Sequence, residues 1–96
     1  MDKPRVYVDF NEMLEPDLFL LSKDDLTVDS AGNEIALREG QSISVYSDDL
    51  NDQGKKDHLI AEGVVERNTT RMKWAAAVKW CCRIGKAGIQ HESDIR

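Results

Sequence analysis

Between residues 74 and 84 the chain alternates between two kinds of side chain, and no other stretch constrains its fold as strongly. Trp74, Ala76, Val78, Trp80, Cys82 and Ile84 form the apolar set. Ala75, Ala77, Lys79, Cys81 and Arg83 form a small or cationic set between them. A period of two belongs to a strand with one buried face. The pattern predicts a core-anchoring strand with both tryptophans turned inward. A helix is the competing reading. On a helical wheel Trp74, Ala77, Val78, Cys81 and Ile84 share a face, the alanines favour a helix, and Gly85 suits a C-terminal cap. A helix would, however, leave Trp80 and Ala76 off that face. Asn68, Thr69 and Thr70 also have no Glu or Gln three positions on to close a capping box.

The rest of the chain reads as short strands joined by polar turns. Residues 5–10 alternate, with Val6, Val8 and Phe10 on one face and Arg5, Tyr7 and Asp9 on the other. Residues 11–17 are polar, contain Pro16 and read as a loop. Leu18, Phe19, Leu20 and Leu21 form a continuous apolar run, which suits a strand covered on both sides. Residues 26–28 and 34–37 flank Asp29-Ser30-Ala31-Gly32-Asn33, a hairpin signal because Gly and Asn tolerate positive φ. Residues 42–46 read as a strand with Ile43 and Val45 inward. Residues 48–57 are a polar connection. Residues 58–67 read as a long strand, and Gly63 inside it marks an expected bulge or bend. Residues 85–88 turn, Ile89 opens a short last strand, and 90–96 read as a polar tail. One domain over residues 4–89 follows.

Two segments carry a family resemblance. Glu39-Gly40-Gln41-Ser42-Ile43-Ser44-Val45-Tyr46 resembles the glycine-led entry into a barrel strand, and Ala61-Glu62-Gly63-Val64-Val65-Glu66 resembles a strand bending at glycine. With about five to six strands and one prominent loop, residues 34–84 resemble small SH3-like barrels. The fold class expected is therefore all-β, mainly antiparallel, a partly open barrel; the alternative is α+β with residues 71–84 as a helix. The resemblance implies architecture and no particular activity. In style the chain also resembles small bacterial proteins.

Charge is unevenly spread. Of a net charge of −5, residues 1–62 carry 6 Lys/Arg against 15 Asp/Glu, and residues 63–96 carry 7 against 3. The acidic part disfavours nonspecific binding to nucleic acid or anionic membrane. No run approaches the ~18 apolar residues of a membrane span, and the first residues hold no apolar stretch of signal-peptide length. The expected location is the cytoplasm. There Cys81 and Cys82 stay reduced. Adjacent on a strand, they point to opposite faces, where a mutual disulfide would be strained.

The residues present complete no catalytic or metal pattern. Asp49, Asn51 and Asp52-Gln53-Gly54 begin like a calcium loop, but Lys56 and Ile60 stand where an apolar residue and a bidentate carboxylate belong. Cys81, Cys82, His58 and His91 lack paired zinc-ligand spacing. His91-Glu92-Ser93-Asp94 holds the residue types of a nucleophilic site in a tail too loose to position them. Asp24-Asp25 and Asp48-Asp49 sit at turns, where Asp is favoured. Phosphate-loop patterns are absent. No metal or cofactor is expected.

What remains is a cationic strip. On the expected strand Lys73, Lys79 and Arg83 project outward, with Arg67, Arg71 and Lys86 nearby and small Ala75 and Ala77 between. The candidate binding residues are Arg71, Lys73, Lys79 and Arg83. Both tryptophans turn the other way, so the strip lacks a platform for stacking bases. The expected function is a noncatalytic protein-interaction module, meeting a protein partner or a second copy of itself. A nucleic-acid accessory domain using the cationic face is the alternative, as several SH3-like barrels are. A thiol enzyme using Cys81 or Cys82 is the distant third. Reversing Lys79 and Arg83 to Glu is expected to weaken binding without unfolding the domain.

Overall fold

The computed structural model describes residues 3–49 and 53–95. Nine strands are present among them: β1 (Val6–Tyr7), β2 (Met13–Glu15), β3 (Leu18–Ser22), β4 (Leu26–Val28), β5 (Glu34–Ala36), β6 (Ser42–Ser47), β7 (Leu59–Arg67), β8 (Trp80–Ile84) and β9 (Gln90–His91). Among the described residues helical structure is confined to two 3-10 turns, at Lys73–Ala75 and Glu92–Ile95. The class is all-β, and the main sheet curls into a half-barrel.

Six strands run across that sheet in the order β1-β6-β7-β8-β3-β2, and β9 adds to β7 beyond the end of β8. Among the described strands only the β1–β6 pair is parallel, with Val6 opposite Val45 and Tyr7 opposite Tyr46. A parallel pair needs a long connection, and the intervening chain holds β2, β3 and the separate β4–β5 hairpin. That hairpin turns at Gly32, whose φ is 86°. The Asp29 carboxylate ties the turn by accepting from the backbone N–H of Ala31 and of Asn33, both at 2.9 Å.

The apolar periods of the sequence build a core on both faces of the central strands. Val6, Val8, Phe19, Val45, Val65, Trp80, Cys82 and Ile84 belong to the inner cluster. Leu18, Leu20, Cys81 and Ala75 form a second cluster on the outer side. The apolar run at the start of β3 is thus covered on both sides, as its lack of alternation suggested. Gly63 lies opposite Ile43 on one side and Ile84 on the other, with continuous register in both directions. It marks a close approach of β8 rather than a bulge.

The 74–84 stretch departs from both sequence readings. The strand begins only at Trp80, and Lys73–Ala75 is a 3-10 turn followed by a further bend in which Val78 N–H donates to Ala75 O at 3.2 Å. Asn68 holds this segment: its Nδ2 donates to Ala75 O at 2.8 Å and to Val78 O at 2.7 Å. Ala75 then packs fully buried on the outer cluster, which turns Trp74 out to 56% exposure while Trp80 stays buried. Two smaller differences accompany it. The loop at 11–17 contains edge strand β2, and the stretch read as a tail opens with β9.

Candidate functional site

The four cations read as one strip are divided by the fold. Arg83 sits within β8, and its guanidinium is enclosed by three carboxylates. Nε and Nη2 donate to the two Glu66 oxygens at 3.0 and 3.1 Å, and Nη1 donates to Asp17 at 2.8 Å and to Glu15 at 3.3 Å. These bonds, Glu66 foremost, raise its pKa above the ordinary value. Bidentate geometry of this kind is specific to Arg. Arg83 therefore fastens the β2–β3 turn to β7 and β8.

Lys79 is also engaged in the fold. Its Nζ lies 2.7 Å from Asp25 Oδ1, the same oxygen that accepts from Trp80 Nε1–H at 3.0 Å. Lys79 and then Trp80, as donors, hold the Asp25 carboxyl below its usual pKa. The Arg67 guanidinium lies 5.2 Å from the centre of the Trp80 ring. Asp25, Arg67, Lys79 and Trp80 together attach the start of β4 to the main sheet.

Arg71 and Lys73 differ. Both are exposed on the segment between β7 and β8, and among the described residues no carboxylate pairs with either. Beside them stand Met72, 45% exposed, and Trp74. Next to Met72 a groove of about 150 Å³ runs between this segment and the β2 edge, with Leu14, Leu18 and Met72 as apolar walls and Asn68, Thr69 and Thr70 supplying polar groups. Glu15 also lines it. The candidate surface is thus Arg71, Met72, Lys73, Trp74 and this groove. The sequence reading found the two cations and missed the two large apolar residues. The available signal was their interleaving: Met72 and Trp74 alternate with Arg71 and Lys73, a combination that a core strand would not need.

Elsewhere the chemistry is quiet. Cys81 and Cys82 are free and buried. Burial is the main cause that pushes their thiols up, to about 11 and about 12. Ser93 Oγ donates to Asp57 at 2.8 Å while His91 Nε2 lies 2.7 Å from Asp49. Serine and histidine are thus each committed to a different carboxylate rather than to one another. Among the described residues no group of three or more His, Cys, Asp or Glu side chains is placed to hold a metal ion. The calcium-like run includes Leu50, Asn51 and Asp52, which lie outside the described residues. No described helix is long and apolar enough to cross a membrane.

The chain matches no family model, no curated protein and no solved structure. Fold and surface define its class by themselves: a small all-β half-barrel on which exposed Met72 and Trp74 alternate with the cations Arg71 and Lys73.

Proposed function

We propose that this chain is a noncatalytic protein-interaction module that binds its partner through Arg71, Met72, Lys73 and Trp74. The observation carrying the reading is Trp74, 56% exposed on a bend held by Asn68, with Met72 beside it. Trp and Arg are the residues most enriched among those that dominate binding energy at interfaces. A well-held bend presents them with little ordering cost on binding. The matching partner is an acidic protein segment with one apolar side chain for the groove beside Met72, since Arg71 and Lys73 then meet complementary charge. The SH3-like identity of the barrel and a cytoplasmic location belong to this proposal.

Exposure of Trp74 also favours a second reading, single-stranded nucleic acid, because an exposed aromatic ring next to cations, here Arg71 and Lys73, is a stacking platform. The net charge of −5 and Glu15 at the groove weigh against it.

The test is capture from native lysate with the wild-type chain and with Trp74→Ala, each with and without nuclease. A protein retained by the wild type, lost with Trp74→Ala and indifferent to nuclease supports the module. Material lost on nuclease treatment supports the second reading. A band retained equally by Trp74→Ala would remove this surface from consideration. Concentration-dependent elution on size exclusion, abolished by the same variant, would make a second copy the partner.

A further inference from the structure

The segment at residues 90–94 is held to the sheet mostly by titratable side chains. Its backbone pairing is short: only Leu59 with His91 and Ile60 with Gln90. Two pairs alone hold a strand weakly. Glu92 N–H adds a bond to His58 O at 2.8 Å. The other attachments are polar side chains. His91 Nε2 lies 2.7 Å from Asp49 Oδ2. Ser93 gives Asp57 both its backbone N–H, at 3.2 Å, and its hydroxyl, at 2.8 Å. His58 stands 3.7 Å from Glu92 Oε1 and 3.5 Å from Asp48 Oδ1. Among the described residues the carboxylates acting on His91 are Asp49 and Asp57 from the β6–β7 connection and Asp94 from its own segment, while His58, just ahead of β7, faces Glu92 and Asp48.

We propose that residues 90–94 are a pH-gated strap, closed on β7 when protonated His91 pairs with Asp49 and loosened when the imidazole releases its proton to water. Closure hides the edge of β7 at Leu59 and Ile60. Ile60 is 3% exposed and, with Gln90 and Gly88, lines a cavity of about 190 Å³ that also reaches buried Arg5. Opening removes the Gln90 wall and bares a strand edge, the kind of site to which another extended segment adds.

The direction follows from the surroundings. The hydrogen bond to Asp49, with Asp57 and Asp94 adding to it, raises the His91 pKa. A raised histidine pKa gives stability that is full below the unfolded value and lost as pH rises through the folded value. Asp57 sets the acid limit. Its pKa is lowered, first by the Ser93 hydroxyl, so its attachment is lost only as pH falls below the ordinary carboxylate range. The strap is therefore closed in mildly acidic solution and opens on the alkaline side.

Amide hydrogen exchange on the full chain, resolved by NMR, tests this. Exchange of the Glu92 amide, after division by its intrinsic chemical rate, is expected to speed by about two- to fivefold as pH rises through the His91 titration, the range of an exposed ion pair. The Val65 amide, which donates to Gln41 O in the main sheet, is expected to stay unchanged. In His91→Gln the step disappears. In Asp49→Asn it moves to lower pH with the His91 titration, which the same spectra report. A Glu92 amide indifferent to pH, a step that survives His91→Gln, or Val65 loosening in parallel would each overturn the strap.

Discussion

Gly63 and Cys82 touch across β7 and β8 with no room for a methyl group between them. A Cβ at Gly63 would stand 2.6 Å from Cys82 Sγ and 2.5 Å from the Arg83 carbonyl oxygen. Both contacts are shorter than van der Waals packing allows, and one is to backbone. Gly63→Ala is therefore expected to destabilise the domain by about 1–3 kcal/mol, the range for overpacking a filled core. Adding Cys82→Ala should recover only part of that, because the Arg83 carbonyl remains. Urea unfolding of the single and double variants measures it. Full recovery in the double variant would mean that the thiol alone sets the spacing.

The two tryptophans should behave in opposite ways. Trp80 is buried and donates to Asp25, so Trp80→Ala is expected to cost about 3–5 kcal/mol. Trp74 is exposed, and Trp74→Ala should change stability by no more than about 0.5 kcal/mol while removing binding. Thermal melts of the two variants separate the positions. A large loss of stability with Trp74→Ala would place that ring in the core.

This pair also shows where the sequence is legible and where it is not. Leu18 to Leu20, the 29–33 turn, β6 and the inward set of β8 from Trp80 onward could be read because local period and turn residues decide them. The facing of Trp74 could not. It depends on Asn68 bonding two carbonyls across a bend and on Ala75 fitting over Leu20 and Cys81, and neither leaves a periodic trace. The pairing of Lys79 and Arg83 within the fold was hidden for a related reason. The carboxylates around Arg83 lie 17, 66 and 68 residues away along the chain. Only the folded sheet shows that this charge is already met. Arg71 and Lys73 survive as candidates because no described carboxylate folds back onto them.

Arg83 and Lys73 accordingly separate structure from binding. Arg83→Glu would set a fourth carboxylate among Glu15, Asp17 and Glu66, and a loss of more than about 1 kcal/mol is expected. The sequence alone predicts that reversing Lys79 and Arg83 together weakens binding without unfolding the domain; the carboxylates around Arg83 add a cost in stability to that expectation. Lys73→Glu should stay within about 0.5 kcal/mol and weaken partner binding. Chemical denaturation of the two variants under one buffer makes the comparison. Equal stability would mean that the Arg83 network contributes little.

Acid should loosen the attachment of β4. Lys79 and Trp80, donating to Asp25, lower its pKa. A lowered carboxylate pKa gives stability that is present above the unfolded value, near 3.8, and lost as pH falls through the folded one. The wild type should therefore exceed Asp25→Asn in urea midpoint at about pH 5, and the two should converge towards about pH 2. A constant gap across that range would show that the Asp25 charge plays no part in holding β4.

The cysteines bear on whether a thiol chemistry belongs to this protein. A thiolate is the reactive species, and reactive cysteines sit in exposed, electropositive surroundings that lower their pKa. Cys81 and Cys82 have the reverse. Both are fully buried, their thiols are pushed to about 11 and about 12 mainly by burial, and the Glu66 carboxylate adds to the rise at each. In native protein at about pH 8 a thiol-specific disulfide reagent should label neither residue on a time scale of minutes, and denaturant should release both at once. Labelling rates would then track global opening of the sheet, so Gly63→Ala should speed both thiols together. One cysteine reacting quickly in the folded wild type would contradict this and would restore a thiol-dependent activity as a reading of the chain.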